Sequence, residues 1–360
     1  DSLAAMQPTD AVQMVNWYPT PSDILLRRGY SQHSTGITGT VESLMNYASP
    51  TGQKLFSVAN GVIYNSTATG AATSVFTGLT NSKFQHVNIS TSGGHFLVAC
   101  NGSDPTLMYD GSNWFKVATT TTAQTISTIT RGGTGNLTAT LTTASAHGLI
   151  TGNRVTISGA NPTEFNGTYV ITVTGTTTFT YTMASAPATD ATTMGSYTVI
   201  GITGVNSNTF INVNLFKNRL WFTEKDTMKV WYLDTNSIGG DAYPLDFGSI
   251  ASRGGYLQAM GTWTIDAGQG ADDYAVWATN MGEVIVYNGT DPSDPNNWAL
   301  KGVWQFGFVF ARRCFYKFAG DLLMLSQDGL VPLASALQSS RLDPRVNLTD
   351  KIYYAVSQAA

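Results

Sequence analysis

Short apolar runs separated by polar turns recur along this chain, and they recur in pairs. Leu55–Tyr64, Phe96–Tyr109, Leu220–Leu233, Ala275–Tyr287 and Leu322–Leu333 each read as an apolar strand, a polar turn and a second apolar strand. Such runs, rich in β-branched and aromatic residues and bounded by turn residues, are strand signals. Asn60-Gly61, Asp110-Gly111, Asn288-Gly289 and Asp328-Gly329 supply turn dipeptides, because Asn, Asp and Gly tolerate positive φ. One supersecondary unit repeated in this way predicts an all-β chain built as a β-propeller of about five to six blades, the sixth from the termini.

The stretch from residue 119 to 198 breaks the repeat. It is crowded with Thr and Ser, and its charges are Arg131, Arg154, Glu164 and Asp190. Asn136–Leu141, Asn153–Ile157, Thr168–Val173 and Thr178–Met183 alternate apolar and polar residues, the mark of half-buried antiparallel strands. Asn166-Gly167 is a turn dipeptide that suits a two-residue hairpin. The stretch reads as a small β-sandwich or barrel inserted between repeats. Without it the repeat spacing falls to about forty to fifty-five residues, which is blade length. An insertion of this kind leaves from one loop and returns close to its origin.

The expected organisation is therefore a first part of the propeller over 1–118, the insert over 119–198, a second part over 199–335, and a C-terminal extension over 336–360. The prolines in Asn16-Trp17-Tyr18-Pro19-Thr20-Pro21 hold their predecessors extended, so the chain opens as an arm. Asp23–Tyr30 reads as a strand ending in a turn, and such a strand is one way to complete a ring. In the extension, Asn347 or Thr349 is placed to cap a helix over Lys351–Val356.

Composition changes the picture in one respect. Only 12% of residues are charged, and the net charge is −4. A typical globular chain is about a quarter charged, so this surface is made of Thr, Ser and Asn and suits packing against other protein. Nucleic-acid binding in bulk needs clustered Lys and Arg. The clusters Arg27-Arg28 and Arg312-Arg313 are small, and solvated edges or ion pairs are expected of them. No apolar run is long enough to predict a membrane-spanning helix.

The chemistry is sparse. His33, His86, His95 and His147 stand at no metal-ligand spacing, and Cys100 and Cys314 read as buried free thiols. Asp272-Asp273 is an adjacent acidic pair, expected in a solvated turn; on a strand its carboxylates would point to opposite faces. Asp291, Asp294, Asn296 and Asn297 offer hard oxygens for calcium, without the spacing of a calcium loop and with Pro292 and Pro295 favouring a rigid turn. Ser326-Gln327-Asp328-Gly329 matches a fragment of the sialidase hairpin box and lacks its Thr-Trp. The expectation is a non-enzyme with no catalytic, metal or cofactor residues. Trp17, Trp114, Trp221, Trp231, Trp263, Trp277, Trp298 and Trp304 lie on or beside strands, where they pack between blades or anchor interfaces.

Two sets of residues resemble a family. Asn218–Thr223 with Val230–Leu233, and the Asn16-Trp17-Tyr18 opening with Leu25–Tyr30, are similar to repeats of bacteriophage tail proteins. In short-tailed phages these form the tail hub, nozzle or packaged-DNA stabilisation protein. The insert, through Ala144–Leu149, Gly152–Ala160, Phe165–Tyr169 and Thr178–Tyr181, resembles a small β-domain of phage structural proteins. The resemblance implies a virion tail component: copies in a ring, six by family, below the portal and adaptor proteins, with DNA leaving through the centre. The insert would then project toward tail spikes, fibres or the host envelope. The competing expectation is a carbohydrate- or receptor-binding propeller.

Overall fold

Asn60 and Gly61 both take positive φ, at 48° and 71°. This is the turn geometry whose twist matches a tight hairpin, and it joins Gly52–Ala59 to Val62–Asn65. Gly61 is required there, since a Cβ would stand 2.4 Å from the Leu79 carbonyl oxygen. Lys217 and Asn218 do the same with φ of 50° and 57°, joining Phe210–Phe216 to Arg219–Glu224.

The computed structural model describes residues 15–19, 22–266, 271–336 and 347–349. Most of them form antiparallel meanders, each a small sheet in sequence order. The first blade is Val41–Ser49, Gly52–Ala59, Val62–Asn65 and Thr73–Phe76. The second is Gln85–Thr91, Gly94–Cys100, Leu107–Tyr109 and Trp114–Lys116. The third is Phe210–Phe216, Arg219–Glu224, Lys229–Tyr232 and Tyr243–Asp246. The fourth is Leu257–Asp266, Ala271–Thr279, Glu283–Gly289 and Trp298–Gln305. The fifth has the three strands Phe315–Phe318, Asp321–Ser326 and Gly329–Pro332. Along its outer edge the Leu348 amide donates to the Leu330 carbonyl at 3.0 Å. The paired runs seen in the sequence are the second and third strands of each blade.

The blades stack face to face through four apolar cores among the described residues. Met45, Phe56 and Val58 meet Leu97, Tyr109 and Trp114 between the first and second blades. Val98, Met108 and Phe115 meet Phe210, Leu220 and Phe222 between the second and third. Trp221 and Tyr232 meet Trp277, Tyr287 and Trp298 between the third and fourth. Val276 and Val284 meet Leu322, Met324 and Val331 between the fourth and fifth. The first strands of the blades line a common axial cleft. The architecture is a β-propeller with five blades among the described residues.

The insert is a β-sandwich. One sheet holds Ile126–Gly132, Thr138–Thr143, Thr178–Thr182 and Thr172–Val173; the other holds Gly167–Val170, Arg154–Asn161 and Thr193–Val199. Leu141, Phe179 and Tyr181 of the first pack on Val155, Ile157 and Tyr197 of the second. Threonines alternate outward on both sheets, which is why the stretch reads as polar. Its two ends meet: the Ala118 amide donates to the Ile200 carbonyl at 3.1 Å, and the Ile202 amide to the Ala118 carbonyl at 2.9 Å.

Several turn expectations are corrected. Asn166-Gly167 makes no two-residue hairpin; a 3-10 turn over Thr163–Phe165 precedes the strand that Gly167 starts, and the Asn166 side chain ties to the Ala160 backbone. Asn288-Gly289 ends a strand, with Gly289 opposite Trp298, because Asp291–Asn297 forms the actual turn. Asp272-Asp273 lies within a strand rather than a solvated turn, held opposite Ile265 and Thr264. Asn347 and Thr349 lie against the fifth blade, where Asn347 Nδ2 donates to the Asp328 carbonyl and Thr349 Oγ1 accepts from the Leu330 amide at 3.0 Å, and the helix they were expected to cap lies outside the described residues. A short helical turn spans Leu333–Ala336, and the expected helix over 351–356 lies outside the described residues. The arm carries a small hairpin, Trp17–Pro19 against Ile24–Leu26.

Candidate assembly site: the axial cleft and the open seam

The strands that line the axis are edge strands, with backbone groups that have no ladder partner on that side. Asn side chains satisfy them, since an amide both donates and accepts. Asn88 donates to the Asn46 carbonyl at 2.9 Å and accepts from the Ala48 amide at 3.2 Å, tying the second blade to the first. Asn214 donates to the Met260 carbonyl at 3.0 Å, and Asn212 accepts from the Met260 amide at 3.2 Å, tying the third to the fourth. His86 Nε2 lies 3.0 Å from Asn46 Oδ1. Burial, and secondarily the charge on Arg313, pull its pKa down to about 4, so it is neutral in the folded chain.

The cleft above the axis has a volume of about 880 Å³ and is lined by Glu42, Lys83, Lys225, Asp226, Arg312 and Arg313 among others. Arg313 is exposed and Arg312 half-buried, and both are held by uncharged acceptors. Arg313 donates to Ser43 Oγ at 2.7 Å and to the Phe84 carbonyl at 2.9 Å, and Arg312 donates to the Asn101 carbonyl at 3.2 Å. The pair enters the fifth blade and reaches across the axis to the first two. Arg27 and Arg28 are exposed as well.

No apolar core joins the fifth blade to the first among the described residues. The free face of the fifth blade presents Tyr316, Phe318 and Leu325, at 64%, 60% and 45% exposure. Register puts them on the face opposite Phe315, Leu322 and Met324, which pack on the fourth blade. The free face of the first blade presents Leu44, 58% exposed, opposite Met45. Leu44, Phe84, His86 and Arg313 line a recess of about 570 Å³ beside this seam. Among the described residues these last two faces are joined by arginine hydrogen bonds and by no apolar core, and the exposed Tyr316, Phe318, Leu325 and Leu44 stand beside Leu323 and Tyr64, which are buried on the same faces.

A set of acids whose shared role went unread in the sequence, Asp104, Glu283 and Asp328, holds the blades in order. The middle turn of the second blade carries Asp104, which accepts from the Thr80 amide at 2.8 Å and the Thr80 hydroxyl at 2.7 Å. The fourth blade carries Glu283, wholly buried, which accepts from the Ser252 amide at 2.8 Å, the Ser252 hydroxyl at 2.7 Å and the Arg253 amide at 3.0 Å. The fifth carries Asp328, which accepts from the Gly307 amide. Each takes an amide of the connector that leads into its own blade. The signal available in the sequence was an acid at the same place in three repeats of a charge-poor chain.

The insert is fixed to the outer strand of the second blade. The Lys116 amide donates to the Gly152 carbonyl at 2.7 Å, and Asn153 Nδ2 to the Lys116 carbonyl at 2.9 Å. Arg154 sits 3.4 Å from Asp110, and its guanidinium lies over the Phe115 and Phe96 rings at 5.0 and 6.0 Å.

The remaining candidates resolve into structure. Asp291 Oδ1 accepts from the Ser293 amide and hydroxyl, and Asp294 accepts from Asn296 and Asn297, so these oxygens close their own turns. Among the described residues no three His, Cys, Asp or Glu converge as a metal site. Asp328 turns a hairpin with Ser326 behind it. Asp273 is bonded by Lys217, which with Thr264 holds its carboxyl below the usual range despite an opposing burial effect. Cys100 and Cys314 are free and buried in different cores; burial raises both thiols, Cys314 to about 12. Among the described residues no helix is long and apolar enough to cross a membrane.

No family model and no curated protein matches the chain. Solved structures with some likeness include BBS1N in complex with ARL6DN, at 13% identity over 81% of this chain and 78% of that one, with a TM-score of 0.37. YCF48 bound to D1 peptide is 10% identical over 84% and 79%, TM-score 0.29. Apo AztD from Citrobacter koseri is 11% identical over 83% and 75%, TM-score 0.31. The propeller is read from the sheet order, not from these likenesses.

Proposed function

We propose that this chain is a structural, non-catalytic subunit of a phage-type tail, a hub or nozzle in which several copies form a ring around the path of the DNA. The observation that carries the reading is a set of exposed apolar side chains, Tyr316, Phe318, Leu325 and Leu44, of the kind that marks contact with further protein. The low charge and the resemblance of the insert to phage structural domains support the same reading. The propeller's own axis is crossed by Arg312 and Arg313, so the DNA path is the centre of the ring of copies and not the axis of one chain. Portal and adaptor proteins above, and spikes or fibres reached by the insert, are the partners this reading implies.

The test is native mass by light scattering with negative-stain imaging, alone and with portal–adaptor complexes added. A ring, or a monomer that becomes one on those complexes, is the expected result. A monodisperse monomer that ignores them would overturn it in favour of a receptor- or carbohydrate-binding propeller.

A further inference from the structure

The innermost strands of three blades carry a bulge at the same place. In the first blade Val41 faces Ala59 and Ser43 faces Val58, which leaves Glu42 as the extra residue. In the third, Phe210 faces Glu224 and Asn212 faces Thr223, leaving Ile211. In the fourth, Leu257 faces Thr279 and Ala259 faces Ala278, leaving Gln258. A bulge takes one side chain out of the alternation and re-aims it, and bulges gather beside functional sites. All three extra residues line the axial cleft. Its volume of about 880 Å³ is that of a site for a small molecule.

Gln258 is 9% exposed, and its amide has no protein partner among the described residues. Hydrogen bonds left unmade on a buried amide are costly, so this group calls for a polar partner in the cleft. Charge sets what else the occupant carries. Lys83, Lys225, Arg312 and Arg313 line the cleft with Glu42 and Asp226 against them, in a chain whose net charge is −4. Glu42 lies 3.9 Å from Lys83, and neither arginine has an ion pair among the described residues. Arg312 uses Nη1 and Arg313 uses Nη2 on neutral acceptors, which leaves each guanidinium with donors to spare. Gly102 allows the close approach, since a Cβ there would stand 3.3 Å from Arg312 Nη1 and 2.7 Å from Ile211 Cγ2. The positive field reaches the neighbours. After burial, Arg313 is the charge that holds His86 neutral, and Arg312 opposes the rise that burial imposes on the Cys100 thiol.

We infer that the axial cleft binds a small organic carboxylate, with Arg312 and Arg313 on its oxygens and Gln258 on a hydroxyl or amide beside it. A planar guanidinium fork matches a carboxylate through two parallel hydrogen bonds. The same fork accepts phosphate, but Glu42 and Asp226 in the lining repel a dianion more than a monoanion. The site lies within one chain and does not depend on the ring reading.

The experiment titrates the full chain by calorimetry with D-glucuronate, N-acetylglutamate, acetate, inorganic phosphate and D-glucose. The first two carry a carboxylate with hydroxyls or an amide nearby, and the tighter of them identifies the carrier. That probe is expected to bind once per chain and to raise the melting temperature. Acetate and phosphate are expected to bind at least tenfold more weakly, and glucose not at all. Arg312→Met is expected to lose the carboxylates, acetate included. Gln258→Met is expected to weaken the tighter probe at least tenfold and to leave acetate unchanged. Gln258→Glu supplies a carboxylate to the cleft from within, so it is expected to melt higher than the native chain and to lose the probe. If Arg312→Met fails to fold, the two Gln258 variants still decide. No saturable binding of either larger carboxylate would overturn the inference. Phosphate or glucose binding as tightly as they do would overturn it as well, and so would a Gln258→Glu chain that melts lower.

Discussion

The seam between the third and fourth blades and the seam between the fifth and first are made of the same residue types, with opposite outcomes. In the closed seam Trp221 stacks on Trp298 at 5.3 Å, Trp298 on Tyr287 at 5.3 Å, and Trp221 meets Trp277 edge-on at 5.5 Å. In the open seam Tyr316 and Phe318 stand in water. Aromatic side chains contribute area and geometry only when both walls are present. The closed seams therefore hold the fold, and Tyr316 and Phe318 contribute little to it.

The sharpest break of this comparison is Trp277→Ala. It empties the centre of a closed seam and is expected to cost about 3–5 kcal/mol, read by chemical denaturation. Trp277→Phe should cost well under half of that, since the indole N–H finds no protein acceptor. Next comes Glu283→Ala, which removes the buried acceptor of three donors on the exposed Ser252 and Arg253 and is expected to cost about 1–3 kcal/mol, with Glu283→Gln milder. If both Glu283 variants unfold like wild type, the acid latch is not a stabilising element.

Arg154→Ala tests the joint between insert and propeller. The loss is expected at about 1–3 kcal/mol, because Asp110 loses its partner and two rings lose a cation. Hydrogen exchange should rise at the Lys116 and Asn153 contacts before it rises in either core. A smaller effect is expected at the axis. His86 has a folded pKa of about 4, below its ordinary value of 6.5. Its neutral form is favoured by folding, so its contribution is present above about pH 6.5 and is lost as pH falls toward 4. His86→Gln should flatten stability over that window by about 1–2 kcal/mol after solvent screening. Smallest for the fold is Phe318→Ser in the open seam, expected within about 0.5 kcal/mol of wild type. Its effect belongs in the sedimentation profile. A large loss of stability there would mean the seam is already covered within one chain.

The middle strands were legible because burial on both faces writes a continuous apolar run, as in Phe96–Cys100 or Val284–Tyr287. The axial strands were harder to read. In Gln85–Thr91 the polar residues His86 and Asn88 serve neighbouring backbone, which mimics a solvent-facing pattern. Asp104 and Glu283 look like any turn acid until the connector they hold is known. The open seam was invisible for a different reason: Phe318 and Phe222 are the same letter, and only the stacking of blades separates one in water from one in a core. The insert was the reverse case. Its alternation and want of charge marked it before any contact was known.

The meeting of Ala118 with Ile200 and Ile202 has a consequence beyond its two hydrogen bonds. It makes the sandwich a detachable cartridge. Blade two and blade three are already joined at the point of departure, so the scaffold does not register what is carried there or how long it is. Such a cartridge can be discarded, exchanged for another or reshaped at its outer loops while the blades keep their geometry. The chain thereby separates the part held constant by blade packing from the part that is free to diversify.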